Sequence, residues 1–415
     1  MHSAIVVTGS ELIRGDRHDR NGPFLAQSLV RLGLEPDELL IVGDEPGALA
    51  EALTAGLRHE LLVVTGGLGP THDDRTVELL AAAAGVPLEL DTALQAQIEA
   101  LSRAFAERAR RPYADFEAGV RKQATIPRGA RIVGLAGTAP ALLLETGGCV
   151  AVTLPGPPRE LQELWPRVVK LEPFRRLLEQ VAPRSRRVLR LYGVGESAVA
   201  QELARAGGER EGVEVTICAR DFEIHVDLLV TPGAEPAADE LEQAFSAPLR
   251  AYLFTRDERS IEELLLDACR TAGLTLATAE SCTGGLVAAA LTAVPGASEV
   301  FLGATVAYAN AAKETQLGVP AELLNRFGAV SAEVAEAMAE GARQRFAADV
   351  AVAVTGVAGP GGGTPEKPVG LVHLCAAGPD GKLDAALQLP GDRETVRGRA
   401  TVAALHLAHR LVAKR

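Results

Sequence analysis

The chain has 415 residues, of which 47% are hydrophobic, and a formal net charge of −12 at pH 7. This length exceeds what one core normally holds, so we expect two or three domains. An acidic chain without a basic stripe is a poor nucleic-acid binder, because such binding rests largely on Lys and Arg contacts to phosphates. Alternating apolar strands and amphipathic helices predict an α/β protein with two doubly wound α/β domains joined by a small α+β domain. We place these domains at residues 1–170, 171–256 and 257–415.

The first residues lack a charged segment followed by an apolar one, and no long uncharged apolar run is present to span a membrane. We therefore expect a cytoplasmic protein without a membrane partner. The five cysteines are scattered without Cys-x-x-Cys spacing, which favours neither a disulfide framework nor a zinc site.

Two apolar segments of the first domain end in small and polar residues. Residues 5–7 precede a Thr-Gly-Ser-Glu run, and residues 61–64 read as a buried strand followed by a glycine turn.

Asp73 and Asp74 follow this glycine turn as a pair of adjacent carboxylates. A hard divalent cation favours carboxylate oxygens and usually keeps some water or substrate phosphate in its shell. Such a cation could polarise a diphosphate and activate a water. The alternative role, expected at one of the two positions, is an N-cap for the helix that begins near Arg75.

The segment between the two larger domains has a different pattern. Residues 187–192, 213–219 and 224–230 read as strands, the last two antiparallel, while residues 196–206 and 237–245 read as helices. The pattern predicts a small α+β module.

In the third domain, a serine and a lysine each follow an expected strand. Ser281 comes after residues 274–279, and Lys313 comes after residues 304–309. A lysine amine whose pKa is lowered by burial can take the proton of a serine hydroxyl, and both residues could reach one strand-end crevice. The alternative for Ser281 is an N-cap of the helix beginning near Gly284.

A glycine-crowded loop follows a third strand of this domain. Residues 349–354 form a short β-branched run, typical of a buried parallel strand, and residues 355–364 contain five glycines. Successive N–H groups in such a loop can form an anion-binding nest. The loop lacks a terminal Gly-Lys-Ser/Thr, so ATP hydrolysis is not indicated.

These motifs resemble the CinA family. Residues 279–285 read Ala-Glu-Ser-Cys-Thr-Gly-Gly, residues 308–313 match Tyr-x-Asn-x-x-Lys, and residues 355–370 match the family's glycine-loop pattern. The resemblance implies a hydrolase that converts nicotinamide mononucleotide to nicotinic acid mononucleotide and ammonia without a cofactor. Ser281 would be the nucleophile and Lys313 the base, with Tyr308 also catalytic. The substrate-binding residues would be Thr283, Gly284, Asn310, Thr355, Gly356, Gly361, Gly362, Gly363, Thr364, Arg393 and Arg397.

The two arginines stand in residues 390–397, a segment that also matches the family. Arg393 or Arg397 is a candidate phosphate ligand, because a guanidinium binds phosphate through two parallel hydrogen bonds. The alternative is a charged helix face.

The first domain is similar to the molybdopterin-binding fold, which in the CinA family is associated with metal-dependent ADP-ribose pyrophosphatase activity. The similarity also implies a site that contains Ser10, Glu11, Asn21, Gly66, Gly67, Gly69 and Thr71. The implied cofactor is Mg²⁺, Mn²⁺ or Co²⁺ on Asp73 and Asp74. The sequence departs from the family pattern at three positions, with Val120 and Gly134 in place of asparagines and Ala141 in place of a glycine. Lost asparagines are lost hydrogen-bond partners.

The middle module resembles the family's KH-like domain. Its Gly193–Glu196 segment lacks the Gly-x-x-Gly spacing of an RNA clamp, so we expect a spacer or a dimer contact in a homodimer. Two alternatives stay open: a first domain that binds molybdopterin or a nucleotide without turnover, or a chain that serves recombination as an interaction protein.

Overall fold

The structure, a computed structural model, describes residues 1–413. It contains two compact units: Met1–Arg186 with Leu229–Pro236, and Arg187–Leu228 with the chain from Ala237 onward. Residues 171–256, expected as a separate domain, are distributed over both units. The last two residues of the domain predicted at 257–415 lie outside the described residues. Within residues 1–413, none of the helices has the length and apolar composition needed to cross a bilayer.

The first unit contains eight strands and eight helices among its described residues. The strands are β1 Ser3–Thr8, β2 Glu38–Val42, β3 Leu61–Thr65, β4 Leu88–Leu90, β5 Thr125–Pro127, β6 Arg131–Leu135, β7 Pro140–Thr146 and β8 Cys149–Leu154. The helices are α1 Ser10–Ile13, α2 Asn21–Arg31, α3 Pro46–Gly56, α4 Thr76–Ala84, α5 Thr92–Ala109, α6 Ala114–Gln123, α7 Pro158–Val169 and α8 Glu172–Leu178.

Six of these strands form one sheet in the order β2-β1-β3-β8-β7-β6. Neighbours from β2 to β8 are parallel, whereas β7 runs antiparallel to both β8 and β6. Strands β1 and β3 are buried at every position, as expected for parallel strands with helices on both faces. Leu25 of α2 and Trp165 of α7 pack in the core on one face, and Leu53 of α3 packs in the core on the other.

The middle segment contains β9 Ser185–Leu191, β10 Val213–Arg220, β11 Glu223–Val230 and β12 Leu253–Thr255, which form a four-stranded sheet in the order β10-β11-β9-β12. A two-residue connection at Asp221 and Phe222, both with positive φ, joins β10 to β11, so these strands are antiparallel neighbours. The prediction of a small α+β module is confirmed. Its helices are α9 Glu196–Arg205 and α10 Glu235–Ser246.

The rest of the second unit is built on a five-stranded sheet in the order β14-β13-β15-β16-β17. The strands are β13 Leu276–Glu280, β14 Phe301–Val306, β15 Val350–Gly356, β16 Leu371–Gly378 and β17 Gly381–Gln388. The helices are α11 Ile261–Ala272, α12 Leu286–Thr292, α13 Asn310–Leu317, α14 Ala321–Phe327, α15 Ala332–Phe346 and α16 Arg393–Val412, with a 3₁₀ turn at Ala297–Glu299.

Strand β13 is the centre of the parallel part of this sheet, with β14 on one side and β15 on the other. Strands β16 and β17 extend the sheet in antiparallel fashion. Helices α11, α12 and α16 cover one face, and α13 to α15 cover the other. The predicted doubly wound α/β architecture is confirmed.

Strand β14 differs from the expectation of residues 304–309. It begins at Phe301 because its pairing with β13 starts there, opposite Leu276. It ends at Val306, after which the Ala307 N–H donates to the Glu280 carbonyl and the chain turns into α13.

Candidate active site

The carboxyl ends of β13, β14 and β15 meet at one edge of the second unit's sheet. Ser281 follows β13 directly, and its N–H donates to the Val354 carbonyl at 2.9 Å. Lys313 lies in the first turns of α13, which follows β14. Since side chains in a helix tilt toward its N-terminus, this position directs the lysine back to the strand ends. Topology therefore brings together two residues that are 32 positions apart.

Ser281 and Lys313 form a buried pair. The Lys313 Nζ lies 3.0 Å from Ser281 Oγ, and it donates to the carbonyls of Ala307 at 2.8 Å and Tyr308 at 3.3 Å. Ser281 is 8% exposed and Lys313 is 1% exposed. Burial lowers the pKa of the Lys313 amine. A neutral amine has two N–H donors and one lone pair, so two carbonyls satisfy the donors and leave the lone pair for the serine hydroxyl.

The alternative role of Ser281 as a helix cap is wrong. Helix α12 begins at Leu286 with Gly285 at its N-cap, and no side chain caps it in the usual way. Instead, the Glu280 carboxylate accepts hydrogen bonds from the N–H groups of Gly285, Val287 and Ala288. Sequence reasoning missed Glu280. The available signal was an acid at the end of a buried strand, which needs donors, just before a helix that offers them.

The two predicted arginines of α16 have different partners. Arg393 donates to the Gly359 carbonyl and to the Tyr308 hydroxyl, each at 2.8 Å. Arg397 donates to the Cys282 carbonyl at 3.1 Å and to the Thr283 carbonyl at 2.8 Å. Arg393 therefore joins the tyrosine to the glycine loop, whereas Arg397 is bound to the turn that follows the nucleophile.

Tyr308 and Asn310 lie at the rim of the site. The Tyr308 side chain is largely exposed, and its recorded hydrogen bond comes from Arg393 rather than from the Ser281–Lys313 pair. Asn310 is exposed at the first residue of α13. Thr283 is fully buried, and its hydroxyl has no hydrogen-bond partner among the described residues.

The glycine loop is held at both ends and exposed in the middle. The Thr355 hydroxyl donates to the Ala329 carbonyl, and Thr364 exchanges hydrogen bonds with Lys367. Gly356 is packed so closely against β16 that a Cβ would lie 2.8 Å from the Leu371 carbonyl oxygen. Gly361, Gly362 and Gly363 are exposed, which leaves this part of the loop open to a ligand.

A thiol lies next to the nucleophile but is unsuited to attack. Cys282 is 5% exposed, and burial raises its pKa to about 11. A nucleophilic cysteine requires a thiolate. All five cysteines are free.

The first unit has a separate cavity of about 710 Å³ at the ends of β1, β3 and β8. Of the predicted residues, the cavity wall contains Glu11, Asn21, Gly66, Gly67, Gly69, Asp73 and Asp74. The two positions after β3 require glycine, because a side chain has no room there and because both residues have positive φ. Gly66 has φ of 100°, and a Cβ would lie 2.3 Å from the Thr8 carbonyl oxygen; at Gly67 it would lie 2.2 Å from Thr76 Oγ1.

Ser10 and Thr71 support this wall rather than line it. The Ser10 N–H donates to the Asp44 carboxylate at 2.8 Å, and the Asp44 N–H donates to Ser10 Oγ at 3.1 Å. The Asn21 amide donates to the Thr65 hydroxyl and the Gly156 carbonyl, and its Oδ1 has no hydrogen-bond partner among the described residues. Sequence reasoning missed Asp44 and Glu160, which also line the cavity. Asp44 could have been found from its position just after β2.

The expectation that Asp73 or Asp74 caps a helix is wrong. Helix α4 begins at Thr76, and Arg75 stands at its N-cap. The Thr71 hydroxyl instead lies within hydrogen-bond distance of both carboxylates and shares its single proton between them, and Asp74 also accepts the Thr71 N–H at 2.9 Å. The hydrogen bond from Thr71 lowers the pKa of Asp73. Thr71 lies within three residues of both carboxylates, so its donors bind them in place of the N–H groups at the start of α4.

The donor set around this pair suits a cation of the Mg²⁺ type. Over residues 1–413, no group of three or more His, Cys, Asp or Glu side chains is arranged to hold a metal. A cation here would therefore use two adjacent carboxylates, and water and substrate phosphate would complete its shell, as Mg²⁺ sites often do.

The three departures from the family pattern lie outside the residues that line the cavity. Val120 and Ala141 are buried in apolar cores. Gly134 has φ of 150°, and a Cβ there would lie 2.7 Å from the Arg167 guanidinium. All three residues have packing roles.

Comparisons with known proteins agree with the order of the folded parts. Family models match the chain in succession: the probable molybdopterin binding domain at residues 4–175, the damage-inducible protein CinA KH domain at 186–255 and the CinA C-terminal domain at 258–412. Competence/damage inducible protein CihA from Agrobacterium tumefaciens, which has a crystal structure, is 44% identical in sequence to the matched part of this chain. The match covers 39% of this chain and 98% of the CihA chain, with a TM-score of 0.35.

Two curated relatives are similar along their whole length. A CinA-like protein of Mycobacterium sp. (strain JLS) is 42% identical over 417 residues, 98% of this chain and 98% of the relative. One of Mycobacterium tuberculosis (strain ATCC 25177 / H37Ra) is 40% identical over 418 residues, 98% of this chain and 96% of the relative. Because the likeness extends through all three family domains, this chain belongs to the CinA family.

Proposed function

We propose that the second unit is an amidohydrolase that deamidates nicotinamide mononucleotide to nicotinic acid mononucleotide and ammonia. The observation that carries this proposal is the buried Ser281–Lys313 pair, with 3.0 Å between Oγ and Nζ. A hydroxyl becomes a useful nucleophile when an adjacent base takes its proton. The two carbonyls that bind Lys313 hold its amine in place for that task.

The reaction divides into two steps on Ser281. In the first, Oγ attacks the carboxamide carbon while its proton moves to Lys313 Nζ. The carbon–nitrogen bond then breaks as Lys313 returns the proton to the leaving nitrogen, which gives ammonia and an ester on Ser281. In the second, Lys313 takes a proton from water, whose oxygen attacks the ester; the proton then returns to Ser281 and the carboxylic acid product leaves.

The substrate phosphate would bind at the rim of the site. Arg393 lies between Tyr308 and the glycine loop, and a guanidinium retains further donors after two hydrogen bonds. The exposed N–H groups of Gly361–Gly363 could form an anion-binding nest beside it. This arrangement supports a phosphorylated substrate over a free carboxamide.

The test is ammonia release from nicotinamide mononucleotide by the full chain. We expect Ser281→Ala to abolish release, because the site loses its attacking oxygen and little else. Ser298→Ala, an exposed serine of the same unit, is the matched control and should retain activity. Normal turnover by Ser281→Ala would overturn the proposal.

We further propose that the first unit is a metal-dependent ADP-ribose pyrophosphatase. The cavity of about 710 Å³ with Asp73 and Asp74 in its wall supports this second function. A bound Mg²⁺, Mn²⁺ or Co²⁺ would polarise the diphosphate and lower the pKa of a bound water. Asp73 and Asp74 would hold the cation, and Thr71 orients both carboxylates.

Phosphate release from ADP-ribose products, coupled to a phosphatase, tests this second function. Cleavage should require one of the three divalent ions. If none of them supports cleavage, the alternative of a molybdopterin- or nucleotide-binding module without turnover is favoured.

A further inference from the structure

The turn that follows the nucleophile is held from two sides by buried polar groups. On one side, Glu280 is fully buried. Its carboxylate accepts the N–H groups of Gly285 at 2.8 Å, Val287 at 3.1 Å and Ala288 at 2.8 Å. A buried carboxylate needs such donors, and these three fix the end of the turn where α12 begins.

On the other side, Arg397 reaches the turn from α16. Its Nε donates to the Cys282 carbonyl and its Nη2 donates to the Thr283 carbonyl. The guanidinium is planar and rigid, so it fixes two consecutive peptide groups at once. The residues are 115 and 114 positions apart along the chain, so the contact is purely tertiary.

Fixing these carbonyls also fixes the N–H groups of the turn. In a trans peptide the C=O and the N–H point in opposite directions, so the Arg397 bond to the Cys282 carbonyl sets the direction of the Thr283 N–H. The Gly284 N–H donates to the Ser281 carbonyl at 3.1 Å. Among the described residues, no oxygen accepts a hydrogen bond from the N–H of Cys282 or of Thr283. The polar atom close to both N–H groups is the Cys282 sulfur. A thiol is a weak acceptor, so these donors remain available.

We propose that Glu280 and Arg397 are positioning residues that clamp this turn so that the N–H groups of Cys282 and Thr283 bind the oxyanion of the deamidation reaction. When Ser281 Oγ bonds to the carboxamide carbon, the electron pair of the C=O double bond moves onto its oxygen. Donors directly after the nucleophile are placed to stabilise that charge, and fixed donors are more effective than mobile ones. The pair returns to carbon as ammonia leaves.

This inference rests on the proposed deamidase function. It assigns different roles to the two arginines of α16. Arg397 would act on the transition state through the turn, whereas Arg393 would bind the phosphate. Loss of transition-state stabilisation lowers kcat with little change in KM, and loss of a uniform binding contact raises KM. Nicotinamide riboside, which lacks the phosphate, gives a second distinction.

The experiment compares Arg397→Lys and Arg393→Lys in the full chain, with both substrates, after thermal melts show that each variant is folded. We expect Arg397→Lys to lower kcat at least about tenfold, because outright loss of one oxyanion donor costs about 10²- to 10³-fold and a displaced donor loses part of that effect. Its KM for the mononucleotide should stay within about twofold, and the fold-loss should be the same on the riboside. Arg393→Lys should raise KM for the mononucleotide by a larger factor than KM for the riboside. In Arg397→Ala, added guanidinium should restore part of kcat.

Several outcomes would overturn the clamp. One is a normal kcat with a raised KM in Arg397→Lys, and another is a loss confined to the phosphorylated substrate; both would make Arg397 a phosphate ligand. A folded Arg397→Ala variant with normal kcat would also exclude the clamp. A wild-type chain that releases no ammonia from nicotinamide mononucleotide would overturn the deamidase proposal itself, and the clamp with it.

Discussion

Ser281 and Lys313 are buried and contact each other at the ends of parallel strands, whereas Asp73 is exposed, Asp74 is half-buried, and both accept hydrogen bonds from Thr71. The first pair contains the proposed nucleophile and the proposed base, and main-chain carbonyls accept hydrogen bonds from the amine of that base. The second pair contains two like charges with space for a cation and a ligand beside them. Under the proposed functions, one site would act with the groups that the chain supplies, and the other would require a metal.

This difference follows from where the polar groups lie. Burial lowers the pKa of Lys313 and so favours the neutral amine that a base requires. Asp73 and Asp74 instead lie in the wall of an open cavity, where water and substrate oxygens could complete the shell of a cation. The two sites should therefore respond differently to substitution and to chelation.

The largest effect is expected for Lys313→Arg. The guanidinium keeps its proton at any accessible pH, so it cannot act as a base. General base catalysis contributes about 10²- to 10⁴-fold, and ammonia release from nicotinamide mononucleotide should fall by at least about that factor.

A double variant sharpens this prediction. Ser281→Ala combined with Lys313→Arg should be scarcely less active than either single variant, because residues that act as one unit are not additive. Ordinary activity in Lys313→Arg would leave the lysine as a charge that anchors the substrate, and Tyr308 would be the next candidate for the base.

Asp74→Asn should weaken the first unit without affecting the second. Loss of one of two anionic ligands should lower metal-dependent cleavage of ADP-ribose at least about tenfold, since even contacts beyond the metal's ligands cost about 10- to 100-fold. Asp115→Asn, an exposed aspartate outside the cavity, is the matched control. Deamidase activity that fell together with diphosphate cleavage would show that the two sites are not independent.

The smallest expected effect is on the free energy of unfolding of the second unit, at a buried contact outside the Ser281–Lys313 pair. His406 lies 2.6 Å from the Glu223 carboxylate, and its ring stacks on Tyr192 with 3.8 Å between centroids. Burial opposes ionisation of Glu223, but the hydrogen bond with His406 and the His225 ring, whose Nε2 lies 3.7 Å from the carboxylate, outweigh it, so its pKa is lowered from 4.5. We expect Glu223→Gln to cost about 1–3 kcal/mol in the free energy of unfolding, as for other buried polar groups that lose a partner.

The pH dependence of that cost has a defined sign. A carboxyl with a lowered pKa stabilises the fold above its unfolded value, so the difference between wild type and Glu223→Gln should be full above pH 4.5 and shrink below it. Burial also lowers the pKa of His406 from 6.5, so the wild type should lose stability as pH falls through that value. Thermal melts from pH 4 to 8, with exposed Glu314→Gln as the control, measure both effects. A cost that grows as pH falls below 4.5 would contradict this account.

The sequence predicted the strands of this protein well where they are buried on both faces. The expected strands at 61–64 and 349–354 are found as Leu61–Thr65 and Val350–Gly356, because a continuous apolar run is typical of a parallel strand that is covered on both faces. The edge strand β14 was misplaced by about three residues. An edge strand has one neighbour, and its ends depend on pairing that the local sequence does not show.

The Ser281–Lys313 pair could be predicted because each residue follows the end of a strand. The hydrogen bonds around the pair could not be predicted in this way. Either Arg393 or Arg397 was expected to bind phosphate, and the bond from Arg397 to the Thr283 carbonyl spans 114 positions. Its neighbour Arg393, one turn earlier, faces Tyr308 instead. Sequence spacing places both residues on one helix, and the packing of that helix decides which partner each one meets.

The pH dependence of ammonia release, measured in the presence of a chelator, tests the central claim most directly. The claim is that the buried Ser281–Lys313 pair deamidates without a metal. We predict that wild-type kcat/KM survives chelation and rises with pH through one ionisation below about 10.4, the value of a free lysine. Loss of activity on chelation, or a rise at the ordinary lysine pKa, would contradict the claim.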